Sequence, residues 1–264
     1  MKIFDPHIRS RTQGDDDLKN LHYFGTEALI TCAHGEQAFE GATDLLAYFE
    51  DLIGEERRRL RRCGFSAYVA VGLVPNARPR RAHYEVFDAL PELLQRPEVV
   101  ALGEVGVWED REDQWELFEE QIRIARRVGP VPVIVTPPRE LKLTLTYKMM
   151  TRLDKMNYPP SMVVMNYLDD RLLANVVDSG FHAGFPVGIT SNEPRGAGAF
   201  LSRLLEGPGY VDKIMLTAAL RRSGGDVLGV PKTIEALQKL DVADSDIEKM
   251  VYDNAARLFL LGES

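Results

Sequence analysis

The chain has 264 residues, 45% of them hydrophobic and 27% charged, ordinary globular proportions that exclude a disordered, collagen-like or mucin-like chain. Acidic residues outnumber basic ones 40 to 32, a net charge of −8, which argues against a broad phosphate-tracking surface and so against nucleic acid as a partner. No stretch approaches the ~18 apolar residues of a membrane span, the opening Met1-Lys2-Ile3-Phe4-Asp5 holds no signal core, and Cys32 and Cys63 form no CxxC pair, so a soluble protein of the reducing cytoplasm without disulfides is expected.

Short β-rich apolar runs closed by turn residues alternate with longer amphipathic stretches. The first four runs are Lys2 to Asp5, Glu27 to Thr31, Ala67 to Val74 and Val99 to Glu104. Between the second and third, Glu55-Glu56-Arg57-Arg58-Arg59-Leu60-Arg61-Arg62 reads as a helix with a solvated face, its glutamates placed first and its arginines last as the helix dipole favours. After the fourth, Trp115, Phe118, Ile122 and Ala125 recur at the spacing of one buried helical face. Four more runs follow: Val131 to Val135, Met162 to Asn166, His182 to Val187 and Lys213 to Thr217. The last helix is expected to open on a capping box, Ser245-Asp246-Ile247-Glu248, and to bury Ile247, Met250, Val251 and Leu258. Strand runs this uniformly apolar have no wet face, so eight of them alternating with helices predict a single (β/α)8 TIM barrel over residues 1–264. An open doubly wound sheet is the alternative.

In such a barrel chemistry sits where strands end at the C-terminal face. The ends place Asp5, His7 and Arg9, then Cys32 and His34, Glu104, Thr136, Asn166, and Thr217 with Ala219 around one pocket. His7 and Glu104, a histidine and a carboxylate from separate strands, are parts of a divalent metal site. They are also the candidate acid–base pair. The plainer alternative is that Asp5 and His7 hydrogen-bond the barrel top while Glu104 is a buried carboxylate with a cationic partner. Cys32 and His34 would complete a single zinc site only in an unusual arrangement. Arg80 and Arg81 above strand three, and Arg221 in the Gly-rich stretch after strand eight, are candidates for holding a small anionic or phosphate-bearing ligand. Nothing in the sequence identifies a protein partner.

Asp5-Pro6-His7-Ile8-Arg9 resembles the D-x-H-x-H element of TatD-like metal-dependent hydrolases, and Ala101-Leu102-Gly103-Glu104-Val105-Gly106 their A-I-G-E-I-G-L-D segment. Val131 to Thr136, Gly180 to Phe185 and the closing Asn254-Ala255-Ala256-Arg257-Leu258-Phe259 are similar to further family motifs, in the same order. The resemblance implies a (β/α)8 barrel with one or two divalent metals that activate water for hydrolysis, often of nucleic-acid phosphodiesters. It also implies ligands: both histidines of D-x-H-x-H, a bridging glutamate, histidines ending strands five and six, and a late aspartate. His7 and Glu104 match. The other positions hold Arg9, Thr136, Asn166 and Ala219. A guanidinium stays protonated and cannot ligate a cation, threonine and asparagine are poor substitutes for imidazole, and alanine supplies no donor.

Three functions are therefore weighed: a hydrolase with a reduced site holding no metal or a single Zn, Mn or Mg; an inert barrel, a pseudoenzyme kept for binding or scaffolding; and a metal-free hydrolase with Glu104 or His7 as general base. In the first, one metal on His7 and Glu104 activates water while the arginines hold an anionic substrate; where no metal binds, Arg9 turned inward is expected to supply the charge that a metal supplies in the relatives.

Overall fold

The computed structural model describes residues 1–34, 39–74, 81–129, 131–189, 192–220 and 225–260, without the side chains of residues 81–84. Eight strands, β1 (Ile3–Ile8), β2 (Thr26–Cys32), β3 (Ser66–Val71), β4 (Val99–Val105), β5 (Val133–Val135), β6 (Val163–Met165), β7 (His182–Pro186) and β8 (Ile214–Thr217), run parallel and neighbour one another in chain order. Helices α1 (Asp15–Tyr23), α2 (Ala42–Asp51), α3 (Arg57–Arg62), α4 (Leu90–Leu93), α5 (Glu112–Val128), α6 (Lys142–Lys155), α7 (Asp170–Asp178), α8 (Pro194–Leu204), α9 (Gly229–Gln238), α10 (Asp244–Glu248) and α11 (Asn254–Phe259) accompany them. The sheet curls until β8 meets β1. There the Thr217 hydroxyl donates to Asp5 Oδ1 (2.6 Å) and lies 2.9 Å from the His7 carbonyl, Ala218 N–H donates to Asp5 Oδ2 (2.8 Å), and Arg9 N–H donates to the Leu220 carbonyl (3.1 Å). This seam excludes the open sheet and gives the expected TIM-barrel architecture.

The strands are buried on both faces, as a parallel sheet sheathed by helices requires. On α5, Trp115, Phe118, Ile122 and Ala125 are all buried, each large one contributing about 1.5–3 kcal/mol relative to exposure. At the chain's end, Asn254 donates through Nδ2 to the carbonyls of Val211 (2.7 Å) and Ile214 (2.8 Å), tying α11 to the root of β8.

Several local expectations change. β1 continues past Asp5 to Ile8, so His7 lies within the strand instead of after it. β3 stops at Val71, because Leu73 takes its backbone bonds from Gln121 of α5, accepting at 3.0 Å and donating at 2.7 Å. The capping box is not formed: α10 begins at Asp244 behind Ala243 with no side-chain cap, which leaves Ser245 inside the helix, where its hydroxyl is not placed to cap. The arginine-rich segment is only partly a solvated face. Arg59 reaches Glu56 (2.9 Å), Asp15 (2.6 Å) and the Ser10 carbonyl (2.9 Å), and so pins the connection that follows Arg9.

Candidate functional site at the mouth of the barrel

Two interruptions of the ladder build the centre of the mouth. Between β1 and β2 the pairs Asp5↔Leu29 and Ile8↔Thr31 enclose two residues on β1 but only one on β2, and Pro6, which has no N–H to give the ladder, sits in the extra length. Between β4 and β5, Gly103↔Ile134 and Val105↔Val135 leave Glu104 as the added residue, directly after a cis Gly103–Glu104 peptide. Gly103 is required here, since a Cβ would meet that of Ile134 at 2.8 Å. Bulges re-aim side chains, and these two deliver His7 and Glu104 to the same point.

Glu104 is fully buried, and Arg9, immediately after β1, holds it at both oxygens: Nε donates to Oε1 and Nη2 to Oε2, each at 2.8 Å. His7 Nε2 stands 2.8 Å from Oε1. Burial is the largest influence on Glu104 and would raise its pKa, but the guanidinium and the imidazole together outweigh it and hold the carboxyl well below the usual carboxylate range. Tyr167 closes the arrangement, edge-on to His7 (centroids 5.1 Å apart) and 5.9 Å from the Arg9 guanidinium carbon. Its backbone is left-handed at φ 51°, and its carbonyl accepts from Lys142 Nζ at 2.9 Å.

The remaining candidates divide. Arg9 and Thr136 line a cleft of about 1270 Å³ together with Trp108, Tyr167, Lys142 and Leu143. Gln114 shapes its wall, accepting from the backbone of Trp108 (2.7 Å) and Glu109 (2.9 Å). Asn166 stands beside Thr136 on the neighbouring strand end, its Oδ1 accepting from Tyr167 N–H at 2.9 Å. Asp5 and Thr217 belong to the β1–β8 seam, where burial pushes the Asp5 carboxyl up despite its bonds to Thr217, Ala218 and His7. Ala219 donates its N–H to Thr217 Oγ1 (3.1 Å) and brings no ligand atom. Cys32 is wholly buried, and that burial, with the Glu104 charge next, pushes its thiol well above the ordinary range. His34 packs edge-on against Tyr48, with its backbone N–H on the Tyr48 hydroxyl. The single-zinc arrangement is thus not assembled: among the described residues no three His, Cys, Asp or Glu side chains stand close enough to hold a metal ion. Arg80 and Arg221, and the side chain of Arg81, lie outside the described residues.

Sequence reasoning missed Tyr167, Trp108 and the α6 residues that wall the cleft. Tyr167 directly follows Asn166, so extending the strand-six end by one residue would have found it. Trp108 and Lys142 carried no comparable signal, because loop paths place them.

The profile of the family described as TatD related DNase matches residues 37–205. The chain belongs to that family. An uncharacterized metal-dependent hydrolase of Methanocaldococcus jannaschii is 26% identical over 260 residues, covering 98% of this chain and 100% of its own. Among solved structures, a TatD-like protein of Archaeoglobus fulgidus superposes with TM-score 0.80 at 23% identity, covering 97% of this chain and 99% of that one. A phosphotriesterase of Mycobacterium tuberculosis has TM-score 0.67 at 14% identity over 98% of this chain and 93% of its own, a likeness of fold alone. Against the TatD ligand pattern, this member's Glu104 has both oxygens taken by a guanidinium. No helix among the described residues is long and apolar enough to cross a membrane.

Proposed function

We propose that this TatD-family barrel works without the family's metal centre, and that its mouth serves as a binding pocket for a small anionic ligand instead of a site of two-metal hydrolysis. The observation that carries this reading is the bidentate Arg9–Glu104 pair. A bridging carboxylate must offer lone pairs to cations, and here a fixed organic cation occupies them in a dry setting where such pairs are strong. The neighbouring positions do not fit a metal either: Asn166 has committed its carbonyl oxygen to Tyr167 N–H, and Ala219 has no donor side chain.

The same pair speaks against Glu104 as a general base. A carboxylate held well below its usual range has little tendency to take a proton near neutrality. Buried, unpaired Cys32 and Cys63 support the cytoplasm as its setting.

Elemental analysis of protein purified without added metal tests the reading. Less than about a tenth of an equivalent of zinc, manganese or magnesium is expected, with no rise in melting temperature when these ions are added, since any ligand of the native state must stabilise it. About one equivalent of tightly bound metal, with hydrolysis lost in Glu104→Gln, would overturn it.

A further inference from the structure

Around the mouth the buried polar atoms left over include the acceptor Asp169 Oδ1 on the cleft wall and two atoms at adjacent strand ends. Thr136 Oγ1 and Asn166 Nδ2 are buried, in residues 5% and 1% exposed, and have no hydrogen-bond partner among the described residues. Buried polar groups in folded proteins are nearly always satisfied, so two at adjacent strand ends call for an explanation. An Asn side chain has one oxygen and one NH2 group, and with the oxygen accepting from Tyr167 N–H the open end is a donor. Gly184 keeps it so oriented, because a Cβ there would meet Asn166 Oδ1 at 2.3 Å and displace it. The Thr136 hydroxyl can donate as well, and its residue lines the same cleft as Arg9. His7 Nδ1 is also without a partner among the described residues, but its donor or acceptor role is set by the tautomer, and so it stands outside the set.

From this we infer that Thr136 and Asn166, beside Arg9, form a donor site for the oxygens of a carboxylate or phosphate monoester carried on an apolar body. The inference rests on the metal-independent reading above and deepens it: where the family pattern has metal ligands, this chain presents N–H and O–H groups, which suit an anion. The body of the ligand is assigned from the cleft. Its volume of about 1270 Å³ far exceeds a lone ion, and Trp108, Pro137, Leu141, Leu143 and Ile189 give it apolar walls. At the rim Lys142 and Arg171, which share Asp169 at 4.0 and 3.9 Å, and Arg139 stand among the carboxylates Glu109, Glu140 and Asp169.

The test uses phenyl phosphate, benzoate, inorganic phosphate and neutral benzamide as probes, read by calorimetry and melting temperature on the full chain. Phenyl phosphate or benzoate is expected to bind and stabilise, and which one wins distinguishes a phosphate from a carboxylate head. Inorganic phosphate is expected to bind more weakly than phenyl phosphate, because it leaves the apolar walls unused. Thr136→Val keeps the shape and removes one unsatisfied hydroxyl, so the unliganded protein should be as stable as the wild type or more so. Its affinity for the preferred probe should fall about tenfold, the loss of one hydrogen bond to a charged acceptor. Asn166→Asp, which turns the donor into a carboxylate, should abolish binding. No binding of either aromatic anion at about 10 mM, equal binding of benzamide, or a Thr136→Val variant with unchanged affinity overturns the inference. Failure of the reading beneath it looks different: stoichiometric metal in the purified protein, whatever the anions do.

Discussion

Replacing Arg9 by Met isolates the interaction on which the mouth depends. Glu104 is completely buried and the Arg9 side chain is 11% exposed, so the variant leaves a desolvated carboxylate with His7 at 2.8 Å as its remaining charge-balancing contact among the described residues. Removing one partner of a buried ion pair costs about 3–5 kcal/mol, and the surviving His7 contact places the expectation near the lower end, about 3 kcal/mol. At about 2–4 °C per kcal/mol for a chain of this size, the melting temperature should drop by roughly 6–12 °C. The pH dependence has a definite sign. In the wild type the folded-state pKa of Glu104 is depressed, so its stabilisation is present above the unfolded value of about 4.3 and is lost as pH falls through the folded value. In the variant burial dominates and the pKa rises, so the penalty is largest at neutral pH and is relieved on acidification. The gap between the two proteins should narrow from pH 7 to pH 5. Urea unfolding at both values measures it, and Arg9→Met/Glu104→Gln, which removes the stranded charge, should recover at least half the loss. A single variant less than about 1 kcal/mol below wild type, or a double variant no better than the single, refutes the view that the pair is a tight buried couple.

Three further expectations follow from other parts of the barrel. Thr217→Val strips the seam of a hydroxyl and leaves Asp5 Oδ1 and Ala219 N–H short of a partner, a loss of about 2–3 kcal/mol in chemical denaturation; a neutral effect would mean the barrel is not closed through that side chain. Gly184→Ala puts a Cβ 2.3 Å from Asn166 Oδ1 and should destabilise by about 1–3 kcal/mol through overpacking, whereas an unchanged melting temperature would show that Asn166 turns away freely. His182, at the root of β7, has its pKa pushed down to about 4 by burial and then by Lys213. Its contribution is full above 6.5 and is lost as pH falls from there toward 4, up to about 3 kcal/mol, so His182→Gln should flatten the stability profile in that window, and an unaltered acid limb would discount the histidine.

The barrel was legible because its signals are local and repeated. Uniformly apolar runs such as Val99 to Glu104, alternating with amphipathic stretches such as that around Trp115 and Phe118, require a parallel sheet with helices outside, whatever the loops do. The mouth was legible only as a roster. His7, Arg9, Glu104, Thr136 and Asn166 could be named from strand ends, but the side on which each acts depends on backbone detail. Asp5 and His7 share β1, yet Asp5 turns to the seam with Thr217 and His7 to Glu104. Ser245 shows the same limit from the other direction: a sound capping pattern was undone by a helix that starts two residues earlier, behind Ala243. The orientation of Asn166 was invisible for a further reason. It is set by the Tyr167 N–H and by the missing Cβ of Gly184, a residue eighteen positions away on the next strand.

The two bulges link these levels. Pro6 inside a strand and Gly103 before Glu104 are features a sequence displays, and each sits at a register shift beside the polar residue that follows it, His7 and Glu104, which meet at 2.8 Å. On the reading proposed here, the backbone that aims a carboxylate and a histidine inward is retained while the residue two beyond that histidine is a cation. The carboxylate then needs no ion, because its charge is balanced within the chain, and the positions farther round the mouth are released from supplying lone pairs. On that reading the cation at position 9 and the lack of imidazole or carboxylate side chains at 136, 166 and 219 belong together, because a mouth whose carboxylate is already paired has no need of groups that hold an ion.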